Sequence, residues 1–245
     1  MRNFFVLILL LLSSLVLAGK RQAPILPVSL IVETNPAVGG NNIVGKVTLN
    51  HFAPIGGQQV QLSSDITIPD LPITVTVPYG KESMRFSFTP NGVDSRLTFQ
   101  LHATANSTTV NTSLTVDPAK PTLFYFEPAN VIGGNNTSGV VNLDGKAGPS
   151  GMLLTLTSHS SRVVMPATVT VPAGGKRAVF AVQTGPVDQQ TVASPTAVAP
   201  DGKTAHGTLT LLKAVMLRLE LNKTSVAPGG NFLLTARLDG VAPVG

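Results

Sequence analysis

The chain has no cysteine and no tryptophan, and its aromatic side chains are 10 Phe and 2 Tyr. Only 12% of its 245 residues are charged, 17 of them basic and 12 acidic. Without cysteine, thiol catalysis, thiolate-bound zinc, iron–sulfur clusters and disulfides are all excluded. So few Tyr and no Trp leave little material for a surface that stacks on sugars or bases. A charged fraction near half the usual ~25% excludes coiled coils, long solvated helices and charge-rich disorder. What the chain does hold is 23 Gly and 19 Pro, the punctuation of a turn-rich β protein.

The N-terminus reads as an export signal. Arg2 precedes an unbroken apolar run, Phe4 to Leu12, which Ser13 to Leu17 extends. Val16-Leu17-Ala18 fits a small-residue cleavage site. The run is short for a bilayer span, which needs ~20 residues. A signal-peptide helix over residues 1–18 is expected to be removed, leaving no membrane span and a protein that is extracellular or at the cell surface. An exported chain without cysteine must be stable by core burial alone, which suits domains of roughly 90–100 residues.

An internal repeat organises the rest. Gly39-Gly40-Asn41-Asn42 recurs as Gly133-Gly134-Asn135-Asn136, and Thr74-Val75-Thr76-Val77-Pro78 as Thr168-Val169-Thr170-Val171-Pro172. Phe86 meets Phe180, and Val93-Asp94 meets Val187-Asp188. Between residues 39–94 and 133–188, 21 of 56 positions are identical without a gap. A third copy opens at Pro228-Gly229-Gly230-Asn231, and Ala242-Pro243-Val244-Gly245 corresponds to Ala53-Pro54-Ile55-Gly56. The expected division is a linker at 19–27, repeat one at 28–118, repeat two at 119–213 and the truncated start of repeat three at 214–245. The sequence is expected to be a fragment of a longer array. Residues Val215–Gly245, with two strands and no closed core, are expected to be disordered or to dock as an added strand on a neighbour.

Each repeat is built of short alternating runs. Ser29–Glu33, Val44–Leu49, Gln58–Ser63, Ile73–Val77, Met84–Phe88, Leu97–Ala103 and Thr109–Val116 read as strands. Val60 and Leu62 alternate with Gln59, Gln61 and Ser63, so one face is set for a core and one for water. Asn91-Gly92, Asp144-Gly145 and Asp201-Gly202 read as turns. The prolines of Asp117-Pro118-Ala119-Lys120-Pro121 restrict a short inter-repeat linker. The fold class is all-β: tandem immunoglobulin-like β-sandwiches of about seven strands each. Phe86 and Phe180 read as core anchors between sheets.

The run Gly-Gly-Asn-Asn, then Gly45-Xaa-Val47-Xaa-Leu49, then Pro72-Xaa-Thr-Val-Thr-Val-Pro, then Phe86-Xaa-Phe88, resembles bacterial immunoglobulin-like repeat domains of secreted and surface proteins, including adhesins. The resemblance spans both full repeats and the partial third. It implies tandem display outside the cell and supplies no catalytic or binding residue to carry over.

A search for chemistry returns none. His51, His102, His159 and His206 do not recur between repeats and lack ligand spacing, so they read as surface or loop side chains. Asp94 and Asp188 recur. A calcium ligand at a domain junction is one reading, and a carboxylate capping a loop's N–H groups is the favoured one. Gly148-Pro149-Ser150-Gly151 lacks the spacing of a nucleophile elbow. No catalytic, cofactor-binding or metal-binding residue is expected, and the basic residues are too scattered for nucleic acid. The expected role is a non-enzymatic spacer or adhesive stalk. The alternatives are a module binding surface glycans or other extracellular proteins, and an accessory region of a longer secreted enzyme.

Overall fold

A computed structural model of the chain describes residues 23–242. The signal segment at 1–18 lies outside the described residues. Among the described residues every regular element is a strand.

The first sandwich pairs β1 (Pro27–Val32), β3 (Ile43–Leu49) and β6 (Ser83–Phe88) in one antiparallel sheet. The facing sheet holds β2 (Ala37–Val38), β8 (Thr108–Asp117), β7 (Leu97–Ala105), β4 (Gln58–Ser64) and β5 (Thr74–Val77), in that order. The alternation seen in sequence is the alternation of burial. Val60, Leu62, Val75 and Val77 turn inward, and the Gln and Thr residues between them face water. Eight strands are present where about seven were expected. The extra one, β2, is two residues long and pairs parallel with the end of β8, too short to leave a period in the sequence.

The second sandwich keeps this plan with more breaks. One sheet runs β13 (Val163–Val164), β15 (Arg177–Thr184), β11 (Thr137–Leu143), β9 (Pro121–Glu127). Opposite lie β14 (Thr168–Val171), β12 (Met152–Thr157), β17 (Thr196–Val198) and β18 (Thr204–His206), with β10 (Asn130–Ile132), β19 (Leu209–Leu212) and β16 (Thr191–Ala193) as a separate strip. The first sandwich's long strand β7 is here split into β16 and β17. Pro195 sits at the split and has no N–H to give a ladder. The long partner β8 is split into β18 and β19 at Gly207, whose N–H donates to the Pro195 carbonyl at 2.8 Å. A Cβ at Gly207 would stand 3.0–3.1 Å from the rings of Phe126 and Phe124, so those rings occupy the space a side chain would need.

Each sandwich buries its own cluster. Val47, Val60, Leu114 and Val116 anchor the first, and Val141, Leu154, Leu209 and Leu211 the second. In both, one phenylalanine ring covers a glycine of the neighbouring strand. The Phe86 ring fills the place of a Gly45 side chain, and Phe180 that of Gly139.

The segment after the second sandwich corrects an expectation. Val215–Gly245 was expected to be disordered or added to a neighbour's sheet. Its described part instead pairs with itself, β20 (Met216–Leu221) against β21 (Leu234–Leu238), as an antiparallel ribbon. Its register copies the sandwiches. Leu219 opposes Ala236 as Phe124 opposes Val141, and Met216 opposes Leu238 as Pro121 opposes Leu143. All three units carry a register shift at this end, the first between Pro27 and Ser29.

Candidate functional site: the junction between sandwiches

The start of each unit is held by one Asx side chain. In the first sandwich Leu26 N–H donates to Asn50 Oδ1 at 2.9 Å, while Asn50 N–H returns a bond to the Leu26 carbonyl at 2.9 Å. In the second, Lys120 N–H donates to Asp144 Oδ1 at 2.8 Å and Asp144 N–H to the Lys120 carbonyl at 3.0 Å. In the ribbon, Val215 N–H donates to Asp239 Oδ1 at 2.7 Å and Asp239 N–H to the Val215 carbonyl at 3.1 Å. A short oxygen-bearing side chain is needed here because only it reaches the backbone N–H of the incoming strand.

Onto this bracket the preceding sandwich is bolted. Asn41, on the Gly39-Gly40 turn, donates from Nδ2 to the Asp144 carbonyl at 2.8 Å and accepts Lys176 Nζ at 3.0 Å. Lys146 N–H donates to the Gly39 carbonyl at 2.8 Å. Asp94 reaches across from the first sandwich. Its Oδ1 accepts Ser150 N–H at 3.2 Å and its Oδ2 accepts Ser150 Oγ–H at 2.8 Å. Within the linker Ala119 is buried, and Arg96 forks onto Asp117 through Nε at 2.6 Å and Nη2 at 3.1 Å. That hydrogen-bonded carboxylate raises the Arg96 pKa above its ordinary value.

The glycines at this joint are there for closeness. A Cβ on Gly145 would overlap the Gly39 carbonyl, and one on Gly148 would overlap the Asp94 carboxylate. Asn91-Gly92 and Asp144-Gly145, read in sequence as turns, are therefore mainly contact surfaces between units. Neither Gly92 nor Gly145 has a positive φ, whereas Gly202 of Asp201-Gly202 does, at 81°. The glycine contacts of this joint recur one unit on. Val241 packs over Gly134 where the Lys146 side chain packs over Gly40, and Gly240 meets Ile132.

Asp94, favoured in sequence as a loop cap, thus caps a loop of the next sandwich, with both oxygens engaged. Asn41, Ser150, Lys146 and Lys176 were missed as site residues. The pairing of Asp144 with Asn50 across the repeat was the signal available for the bracket. Beside the joint lies a crevice of about 420 Å³, walled chiefly by Ile66, Pro90, Val93, Leu97 and Phe99, with Pro149 at its rim. It brings together no nucleophile–base pair.

The ladders set the histidine positions side by side on each sandwich. Strand pairing sets His102 opposite Asn111 and Thr196 opposite His206, so those columns are equivalent, and His159 stands at the repeat position of Asp65. The first sandwich therefore carries Asp65, His102 and Asn111 on an outer face, and the second His159, Thr196 and His206. When protonated, His102 donates from Nδ1 to Asn111 Oδ1 at 2.8 Å and from Nε2 to Asp65 Oδ1 at 2.9 Å. The bonds to Asn111 and then Asp65 raise the His102 pKa. Those from His102 and from Gln100 N–H lower the Asp65 pKa. In the second sandwich His159 Nε2 meets Thr196 Oγ1 at 3.0 Å. Among the described residues no three His, Asp or Glu side chains gather as a metal would need, and no helix is long and apolar enough to cross a membrane.

No protein-family model matches the chain, and no curated protein matches it. Solved structures do. Invasin, described as a bacterial integrin-binding protein, is similar at 12% identity and a TM-score of 0.45, covering 87% of this chain and 46% of its own. The Yersinia pseudotuberculosis adhesin InvE is similar at 18% identity and a TM-score of 0.34, over 75% of this chain and 58% of its own. A glycosyl hydrolase family 2 member from Bacteroides cellulosilyticus is similar at 12% identity and a TM-score of 0.32, over 74% of this chain and 24% of its own. The sandwich assignment itself rests on the strand pairing above.

Proposed function

We propose that the chain is a non-enzymatic, exported repeat protein whose sandwiches act as a stiff spacer or adhesive stalk at the cell surface. Its units are repeat one at 28–118, repeat two at 119–213 and the opening of a third at 214–245, behind a signal at 1–18. The observation that carries the reading is the joint: the same bracket and the same glycine contact stand at both unit boundaries. A joint built of main-chain contacts and short side chains transmits orientation from one unit to the next, as a spacer requires. A flexible string would need no Asp94–Ser150 clamp.

Small-angle scattering tests this. The wild-type chain is expected to scatter as one elongated body of fixed maximum dimension, with or without a calcium chelator. Asp94→Ala with Asn41→Ala is expected to broaden the distance distribution. Wild-type scattering already typical of freely jointed units would overturn the reading.

A further inference from the structure

One peptide of the joint is chemically unlike the rest of the chain. Asn91-Gly92 is the only Asn-Gly pair in the 245 residues. It lies between the two units. On one side is the Gly39-Gly40 turn, where a Cβ on Gly39 would stand 2.5 Å from the Asn91 carbonyl oxygen and 2.7 Å from Gly92 Cα. Gly40 N–H also donates to the Pro90 carbonyl at 2.7 Å. On the other side is the second sandwich, where a Cβ on Gly92 would overlap the Lys146 and Ala147 carbonyls. Yet the Asn91 side chain is exposed, and among the described residues the Gly92 N–H has no main-chain partner. The second boundary makes the same contact with different chemistry. There Gly185-Pro186 holds the place of Asn91-Gly92, and a Cβ on Gly133 would stand 2.8 Å from the Gly185 carbonyl oxygen and 3.2 Å from Pro186 Cα. That pair has no side-chain amide, and the proline has no N–H.

We propose that Asn91 is a spontaneous deamidation site, protected while the joint is closed, whose product keeps the joint from closing again. The inference rests on the joint being the stiff element of the stalk. In the reaction the Gly92 nitrogen gives its proton to solvent and bonds to Asn91 Cγ. The bond from Cγ to the side-chain nitrogen breaks, and that nitrogen takes a solvent proton and leaves as ammonia. Water then opens the resulting five-membered imide. Cleavage between the Gly92 nitrogen and Cγ leaves aspartate. Cleavage between that nitrogen and the main-chain carbonyl carbon leaves isoaspartate, with the chain running through Cβ and Cγ. Glycine favours ring closure because no Cβ crowds the attacking nitrogen. The closed joint opposes it, since Gly92 is wedged between Gly39 and two carbonyls of the next unit. The ring therefore forms from the opened joint, at a rate set by the open population. Isoaspartate adds one carbon to the main chain at a place with no room even for a Cβ. Each opening of the first joint thus carries a chance of permanent loosening, and the second joint, with Pro186, is immune.

Ageing the full chain at about pH 8 and about 37 °C, with peptide mapping by mass spectrometry, tests the proposal. Conversion at residue 91 is expected to be at least about tenfold slower in folded wild type than in the chain unfolded in urea. Asp94→Ala with Asn41→Ala, which opens the joint, is expected to convert about fivefold faster than wild type. The isoaspartate form, separated by ion exchange, is expected to give a broadened distance distribution in small-angle scattering while both sandwiches melt as before. Asn91→Gln aged alongside is expected to keep the scattering of fresh protein. Wild type converting as fast as the unfolded chain overturns the proposal, as does an opened variant no faster than wild type or an isoaspartate form as stiff as fresh protein. Fresh wild type that already scatters as freely jointed units overturns the stalk reading itself, and this inference with it.

Discussion

The two sandwiches share a plan and fill it differently. The first core takes its rings from β6 and β7, as Phe86, Phe88 and Phe99, and the second from β9 and β15, as Phe124, Phe126 and Phe180. Only the Phe86–Phe180 pair is shared. At the remaining positions large and small exchange places. Leu30 and Val32 stand where Phe124 and Phe126 do, and Phe88 and Phe99 where Val182 and Ala193 do. Each core ends with three phenylalanines. Volume is conserved while position is not, as close packing demands. The cost appears in the backbone: with Phe124 and Phe126 on one strand, the strand opposite needs Gly207 and breaks there.

The largest effect should come from the shared pair. Phe86→Ala and Phe180→Ala are each expected to destabilise their own sandwich by about 3–5 kcal/mol, leaving the other's transition in place by calorimetry. Next comes an exchange. Val182→Phe imports the ring of the first core and is expected to overpack the second by about 1–3 kcal/mol, part of which Phe126→Val should restore if volume is what is conserved. No restoration would mean that position matters as much as volume. At the joint, Asp94→Ala removes two exposed hydrogen bonds and is expected to cost about 1 kcal/mol, read as uncoupling of the two melting transitions.

The smallest effect should be the pH response, and it should separate the sandwiches. The raised His102 pKa means its contribution is fully present below the unfolded value of 6.5 and fades as pH rises through the folded one. The lowered Asp65 pKa means its contribution is present above 3.8 and fades as pH falls through a lower folded value. The first sandwich should therefore gain stability from pH 8 to 5.5, and His102→Gln should abolish the gain. In the second sandwich Thr196 holds the His102 position, so the same gain is not expected. Urea titrations across that range check both.

The strands were legible because each is short, amphipathic and bounded by turn residues. Val60, Leu62, Val75 and Val77 were assigned inward from alternation alone and are buried. The joint was less legible. Asn91-Gly92 and Asp144-Gly145 match a hairpin-turn pattern locally, and the carbonyls that exclude a Cβ there belong to another unit. The repeat offset matches His102 with Thr196, His159 with Asp65 and His206 roughly with Asn111, but only the strand ladders set each trio side by side on one outer face. The ribbon pairs despite having only two strands because Asp239 fastens the start of β20 through Val215, a contact that alternation alone does not reveal.

The short strand β2 bears on how load passes through a unit. It runs parallel to the end of β8, pairing Ala37 with Val116 and Val38 with Asp117, and β10 runs parallel to β19 over three residue pairs. In each case a strand near the chain's entry lies beside the strand at its exit. Tension on the chain draws such parallel neighbours past each other lengthwise, so their hydrogen bonds resist together instead of opening one at a time. With two pairs against three, the first sandwich is expected to yield before the second when the chain is pulled from its ends, which a force–extension measurement checks.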